Sequence, residues 1–193
     1  MPKLGMEPIR KEALVRATIH EIGRTGSLDV TVSQIAKRAG MSSALAHHYF
    51  GSKEQIFLAA MRHILSLYSA EVRGALVMAV TPNDRLRAIV QASFSSLNFR
   101  REVIGAWLNF YVLAQTVPEA KRLLNVYQKR LHANLLHDLR KLVGPRAEAT
   151  ARGLAAMIDG VYIRQALREG APDGTAAAAM ALQYLTLELE PRQ

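Results

Sequence analysis

The chain has 193 residues, of which 50% are hydrophobic and 6% aromatic, so it can bury a sizeable core and is not a disordered tail. It contains no cysteine, which excludes a disulfide framework, a thiolate metal site and a cysteine nucleophile. The formal net charge of +9 indicates an anionic partner, with nucleic acid ahead of a membrane surface. Simple solubility is the alternative explanation of that charge.

Neither the first residues nor the most apolar segment predicts membrane insertion. The opening MPKLGMEPIRKE lacks the apolar core of a signal peptide. Segment 103–117 is too short to span a bilayer and contains Asn109 and Gln115. The lack of cysteine also fits a reducing compartment. We therefore expect a cytoplasmic protein with no membrane partner.

The pattern of apolar residues predicts an all-α chain. Alanine and leucine dominate over valine and isoleucine, and runs of strict alternation are absent. A first helix is expected from about Pro8 to Gly26. Thr31 and Gln34 have the spacing of a capping box for a short second helix, which Gly40 ends.

The helices that follow are delimited by further caps and breaks. Ser42 can cap a third helix that Gly51 ends, and a long fourth helix follows from about Ser52. Thr81 caps the next helix and Pro82 occupies its first turn. Later breaks are expected near residues 100–101, 117–118, 144–145 and 170–173.

These elements predict about nine helices in two functional parts. Residues 1–52 form a three-helix, helix-turn-helix DNA-binding domain. The long fourth helix joins it to a C-terminal helical bundle, residues 53–193, which binds a ligand and dimerises. A bundle of this size exceeds what DNA binding needs, and bundle interiors are a usual place for a small molecule.

Residues 31–53 carry the clearest functional signal. Ala36 and Gly40 fit the small residue at a helix crossing and the left-handed glycine of a helix-turn-helix. The second helix of the motif has a polar face and a serine-rich N-terminus, which suit base edges and phosphates. Lys37 and Arg38 flank the turn and are placed to reach phosphate. The expected DNA-binding residues are Thr31, Ser33, Lys37, Ser42, Ser43, Ala44, His47, His48, Tyr49 and Lys53. An ordinary helical hairpin with incidental polar residues is the alternative.

Catalytic and metal chemistry find little support. His47 and His48 are adjacent, and adjacent residues on a helix point about 100° apart, which argues against a metal pair. The chain has no Gly-rich phosphate loop and no nucleophile with a plausible base. His132, His137 and Asp138 are expected on the surface of a basic helix rather than in a dyad. We expect no enzymatic activity, no catalytic residue, no metal and no cofactor.

The capping box, the IAKRAG turn and the HYFGSKEQIF segment together resemble the N-terminal domain of the TetR family of one-component repressors. The YF-x-x-K step into the fourth helix is a specific part of this resemblance. The segments GAWLNFY and GLAAMIDGVYIRQAL extend it nearly end to end, towards members that sense choline and repress glycine-betaine synthesis genes. The alternative within the family is a repressor of an efflux or catabolic operon that responds to another cationic or hydrophobic molecule.

The resemblance implies a homodimer that binds a palindromic double-stranded DNA operator, with a C-terminal ligand pocket that controls the spacing of the two recognition helices. For choline or a related quaternary ammonium ligand, aromatic faces would supply cation–π contacts. Trp107, Phe110 and Tyr111 share one helical face, and later helices add further rings. Each ring taken singly is more simply explained as core. The expected ligand-binding residues are Phe99, Trp107, Phe110, Tyr111, Tyr127, Asp159 and Tyr162.

Asp159 is the carboxylate in this set, and it lies in an otherwise apolar helix. A buried carboxylate needs a partner, which is either a ligand cation or a neighbour such as Arg152 or Arg164. The same helix has small residues at Gly153 and Gly160, and the last helix changes from small to large side chains. The resemblance implies that these two helices form the dimer interface, with packing inside the chain alone as the alternative.

Overall fold

A computed structural model describes residues 5–190 of the chain, and these form nine α-helices and no strand. The helices are α1 (Met6–Thr25), α2 (Val32–Arg38), α3 (Ser43–Phe50), α4 (Lys53–Met78), α5 (Pro82–Ser93), α6 (Arg101–Thr116), α7 (Pro118–Val143), α8 (Ala147–Ala166) and α9 (Gly174–Leu189). A single 3-10 turn, Gly144–Arg146, precedes α8. The all-α prediction and the expected breaks are confirmed. Within the described residues no helix is both long and apolar enough to cross a bilayer.

Local capping chemistry sets the helix ends. Thr31 Oγ1 accepts the Gln34 N–H at 3.2 Å, and Gln34 Oε1 accepts the Thr31 N–H at 2.7 Å. These two bonds complete the predicted capping box of α2. Thr81 and Asp84 make the same arrangement at the start of α5. At the other end of a helix, Gly26 follows α1 with φ 68°, in the left-handed region where glycine is favoured.

The chain divides into two compact units, of which the first contains the chain up to Ile64 together with Arg101–Lys121. Here α1 packs against α6 and α2, and α2 packs against α3. Gly23 lies so close to the backbone of Glu102 that a β-carbon there would collide with α6. The core of this unit therefore requires glycine where α1 meets α6.

The second unit contains Leu65–Arg100 and the chain from Arg122 onward. Its helices α8 and α9 pack together, and α9 also packs against α5. The expected division into a DNA-binding domain, residues 1–52, and a ligand-binding domain, residues 53–193, concerns function and not packing. It stays a prediction.

Asp138 in the second unit corrects one expectation. It was expected on the surface with His137, but its side chain is fully buried and accepts a hydrogen bond from Arg85 Nε at 2.9 Å. The buried residues Leu135 and Leu139 flank it on α7. The expectation failed because the many basic residues around Asp138 in the sequence suggested a wholly exposed helix face, whereas the Asp138 side chain points inward. His137 itself is exposed, as expected.

Candidate functional site

The outward side of α3 presents the polar groups that the sequence predicted. Its exposed members are Ser42, Ala44, His47 and His48. Ser43 is half-buried, and Ala46 is buried on the opposite side. Ser42 Oγ accepts the Leu45 N–H at 3.2 Å and caps the helix. Because that bond uses the oxygen as acceptor, the Ser42 hydroxyl proton remains available to a phosphate or a base edge.

Two basic residues beside the turn have different environments. Lys37 of α2 is exposed, as are Ser33 of the same helix and Thr31, which caps it. Arg38 instead pairs with the Glu21 carboxylate of α1, which Arg24 also contacts. The hydrogen bond from Arg38, with the nearby Arg24, lowers the pKa of Glu21 below its usual range. Arg38 therefore holds α2 against α1, whereas Lys37 makes no ion pair among residues 5–190.

Tyr49, at the end of α3, lies beside two cations of α1. Arg10 Nη1 donates to the Tyr49 hydroxyl at 3.5 Å, and Lys11 Nζ lies 5.8 Å from the centre of its ring. Lys53 is half-buried with its Nζ 5.5 Å from the Phe57 ring. Sequence reasoning missed Arg10 and Lys11 because they reach Tyr49 only after α1 packs. Together these residues form a positively charged group around the end of α3.

His47 is held by reciprocal bonds to the residue that ends α3. Its Nδ1 lies 3.0 Å from the Gly51 carbonyl oxygen, and the Gly51 N–H donates to the His47 carbonyl at 2.7 Å. His48 contacts the Tyr49 ring, with centroids 5.6 Å apart, but its ring forms no hydrogen bond within residues 5–190. The two adjacent histidines therefore differ in how firmly their rings are oriented.

The expected ligand-binding residues fall into both units. In the first unit, the Trp107 ring lies 6.0 Å from Phe110 and 5.8 Å from Tyr111, which confirms that the three share one face of α6. Trp107 and Phe110 are buried. Their contacts with each other are those of an aromatic cluster, and a ligand role for them stays a prediction.

In the second unit, Phe99 and Tyr162 pack with Phe94. The Phe99 ring centre lies 5.0 Å from Tyr162 and 5.1 Å from Phe94, in edge-to-face geometry. The Tyr162 hydroxyl donates to the Ser93 carbonyl and lies 3.4 Å from that of Asn98. These contacts give Phe99 and Tyr162 a clear packing role, and their ligand role stays a prediction.

Tyr127 lies in a different environment, next to Tyr68 of α4. Their rings meet edge to face at 5.9 Å. The Ser93 hydroxyl donates to the Ile89 carbonyl, so at 3.2 Å it accepts the Tyr68 hydroxyl proton. Burial raises the pKa of Tyr68 to about 12, and the negative charges of Asp159 and Glu71 add to the rise. Glu71 lies one helical turn after Tyr68 on α4.

Glu71 is half-buried and was not predicted as a site residue. Its Oε2 accepts a hydrogen bond of 2.6 Å from Asn98 Nδ2, which also donates to the Ala92 carbonyl at 3.0 Å. Among residues 5–190 no cationic group pairs with the Glu71 carboxylate within 4.0 Å. A carboxylate that has a neutral amide as its partner keeps its negative charge uncompensated. The combination of Tyr68, Tyr127, Asp159 and Glu71 is suited to a cation.

Family models match both parts of the chain. Residues 14–60 match bacterial regulatory proteins of the tetR family, and residues 82–190 match the BetI-type transcriptional repressor C-terminal model. The chain belongs to the TetR family. Within that family its C-terminal part is of the BetI type.

Two curated relatives support the assignment to TetR regulators. The HTH-type transcriptional regulator BetI of Brucella melitensis is 50% identical over 190 residues, which cover 98% of this chain and 96% of that protein. BetI of Agrobacterium fabrum is 48% identical over 192 residues, which cover 98% and 93%. The chain is therefore a TetR-type transcriptional regulator and not an enzyme.

Solved structures show the same TetR fold at low sequence identity. A TetR transcription regulator from Haloarcula marismortui aligns with a TM-score of 0.81 at 19% identity, covering 93% of this chain and 98% of that one. A Saccharomonospora viridis protein crystallised with choline aligns with a TM-score of 0.79 at 21% identity, covering 91% and 95%. TetR regulators bind DNA and small molecules, typically as dimers.

Proposed function

We propose that this TetR-family protein is a cytoplasmic, homodimeric repressor of genes for glycine-betaine synthesis from choline. It binds a palindromic operator through α3, and choline or a related quaternary ammonium ion controls that binding. The observation that carries the proposal is about 50% identity to BetI regulators over 98% of the chain, with a BetI-type C-terminal part. The arrangement of charged and aromatic groups supports DNA binding and ligand binding separately, and exposed apolar side chains support the dimer.

The DNA half of the proposal rests on the exposed side of α3. The capped N-terminus of α3 offers backbone N–H groups to a phosphate, and His47 and His48 stand exposed one turn later. Tyr49, with Arg10 and Lys11 beside it, suits a backbone phosphate at the other end of the helix. In this proposal α3 lies in the major groove and the flanking cations fix its position.

The ligand half rests on Glu71, Asp159 and the Tyr68–Tyr127 pair. A quaternary ammonium ion has no N–H to donate, so it is bound by carboxylate charge and by aromatic rings. Glu71 supplies a carboxylate whose partner is the neutral amide of Asn98. A protein of similar fold was crystallised with choline, which supports this class of ligand.

The proposed dimer rests on exposed apolar side chains of α8, α9 and the residue after α8. These side chains are Ile163, Leu167, Met180 and Leu187. Large apolar side chains grouped on one pair of helices favour burial against a partner. Gly153 of α8 lies against the Tyr184 hydroxyl within the chain, so one of the small residues expected at the dimer interface serves internal packing.

A gel-shift assay on the promoter of the chain's own operon tests the repressor function. We expect a dimeric complex that survives excess nonspecific competitor DNA and weakens as salt rises. Loss of the shift in the presence of competitor would indicate a nonspecific DNA-compacting protein and contradict the proposal. Adding choline, betaine, betaine aldehyde or a lipophilic cation to the same assay separates the choline repressor from an efflux-type repressor.

A further inference from the structure

The two bonds between His47 and Gly51 determine the protonation of one ring nitrogen. A carbonyl oxygen can only accept a hydrogen bond, so the His47 Nδ1 that lies 3.0 Å from the Gly51 oxygen carries the proton. In a neutral imidazole the other nitrogen, Nε2, then holds a lone pair and acts as an acceptor. The bonds therefore fix which nitrogen donates.

The backbone at Gly51 keeps this carbonyl in place. Gly51 has φ 76° and ψ −69°, in the region of positive φ that strains residues with a side chain. The Gly51 N–H is bonded to the His47 carbonyl at 2.7 Å, which anchors the same residue from its other side. His47 is exposed, so its Nε2 is open to a binding partner.

The donor and acceptor pattern of DNA decides which groups can meet such an acceptor. Phosphate oxygens and the guanine O6 and N7 atoms are themselves acceptors and cannot pair with a lone pair on Nε2. In the major groove the donors are the adenine N6 and cytosine N4 amino groups. We infer that His47 reads the amino group of an adenine or a cytosine in each operator half-site. This inference rests on the proposed function, because it requires α3 to enter the major groove.

The test uses a duplex selected by the full-length dimer from a random-sequence DNA pool at pH 8, where imidazole side chains are largely neutral. Each adenine of the selected half-site is replaced in turn by purine, and each cytosine by 2-pyrimidinone, which removes the amino group alone. We expect one position at which wild-type affinity falls about tenfold. A loss at a purine substitution identifies adenine, and a loss at a 2-pyrimidinone substitution identifies cytosine.

Two variants tie that loss to His47. His47→Asn keeps an N–H that can reach the Gly51 carbonyl but lacks an acceptor at the Nε2 position. For this variant, removal of the amino group should cost less than about twofold, because the contact is already gone. His48→Asn is the matched control, since it replaces the neighbouring histidine, whose ring makes no such bond to residues 5–190. The roughly tenfold loss should persist in it.

Four results would overturn the inference. A His47-dependent loss with 7-deazaguanine would show that His47 donates to guanine. A uniform loss of affinity for His47→Asn with a smaller salt dependence would show that His47 contacts phosphate. Selection of no DNA sequence at all would overturn the proposed function and this inference together, whereas a selected sequence without a coupled position would overturn the inference alone.

Discussion

The α2–α3 region and the aromatic residues of the second half differ in where their candidate functional groups lie. On α3 most of the predicted DNA-binding side chains are exposed, and the ring of His47 is oriented by its bond to the Gly51 carbonyl. In the second half, Phe99 and Tyr162 are buried and contact each other. A surface function can therefore be predicted from local sequence, whereas a buried site depends on which elements pack together.

Three carboxylates with low exposure differ in the charge of their partners. Glu21 in the first unit is paired with two arginines, and Asp138 in the second unit is paired with Arg85. Glu71 has the neutral amide of Asn98 as its partner. The ion pairs of Glu21 and Asp138 stabilise the fold. The carboxylate of Glu71 is the one that a cationic ligand would neutralise.

The largest effect should come from the α3 side chains. Replacing His47 and Tyr49 together by alanine should weaken operator binding about 100-fold, or roughly 2.7 kcal/mol, because both the groove contact and a phosphate contact are lost. Fluorescence anisotropy with a labelled operator measures this. The control Arg140→Ala, an exposed cation of α7, should stay within about twofold. Equal losses for both variants would attribute binding to net charge instead of α3.

The buried ion pair of the second unit should come next. Asp138→Asn should lower the free energy of unfolding by about 2 kcal/mol, because Arg85 loses its charged partner while the site remains buried. Urea denaturation measures this change. Lys141→Ala removes a more exposed cation 3.5 Å from the same carboxylate and should cost under about 0.5 kcal/mol. If the two variants were equally stable, Asp138 would not be the anchor between α5 and α7.

The ion pair of the first unit should show a pH dependence. The pKa of the Glu21 carboxyl is lower in the folded state than its ordinary value of 4.5. Its charge therefore stabilises the fold at pH above 4.5, and this stabilisation is lost as pH falls through the lowered pKa. Glu21→Gln should therefore cost about 1.5 kcal/mol at neutral pH and progressively less in acid. Urea denaturation across that pH range measures the difference. A cost that does not change with pH would show that the charge of Glu21 is not what holds α2.

The smallest effect should be on ligand affinity. Glu71→Gln should weaken choline binding about tenfold, or roughly 1.4 kcal/mol, and leave ligand-free operator affinity unchanged. Glu169→Gln, a change at an exposed carboxylate beyond the end of α8, is the matched control and should have no effect. Titration calorimetry measures both. Unchanged choline affinity in Glu71→Gln would remove Glu71 from the ligand site.

The parts of the fold that the sequence predicted depend on short-range chemistry. The capping box at Thr31 and the left-handed glycine after α1 involve residues a few positions apart, so their pattern is visible in the sequence. Asp138 was placed wrongly because its partner Arg85 is 53 residues away. The contacts of Arg10 with Tyr49 and of Glu71 with Asn98 were missed for the same reason: they exist only after distant helices pack.

Titration calorimetry with choline tests whether a quaternary ammonium ligand controls this TetR regulator. The matched control is 3,3-dimethylbutan-1-ol, which has the shape of choline without its positive charge. We expect that choline binds the dimer, that it binds with a different affinity when the operator is present, and that the neutral analogue binds at least about tenfold more weakly. Equal binding of the two compounds, or no binding of choline, would contradict control by a quaternary ammonium ligand.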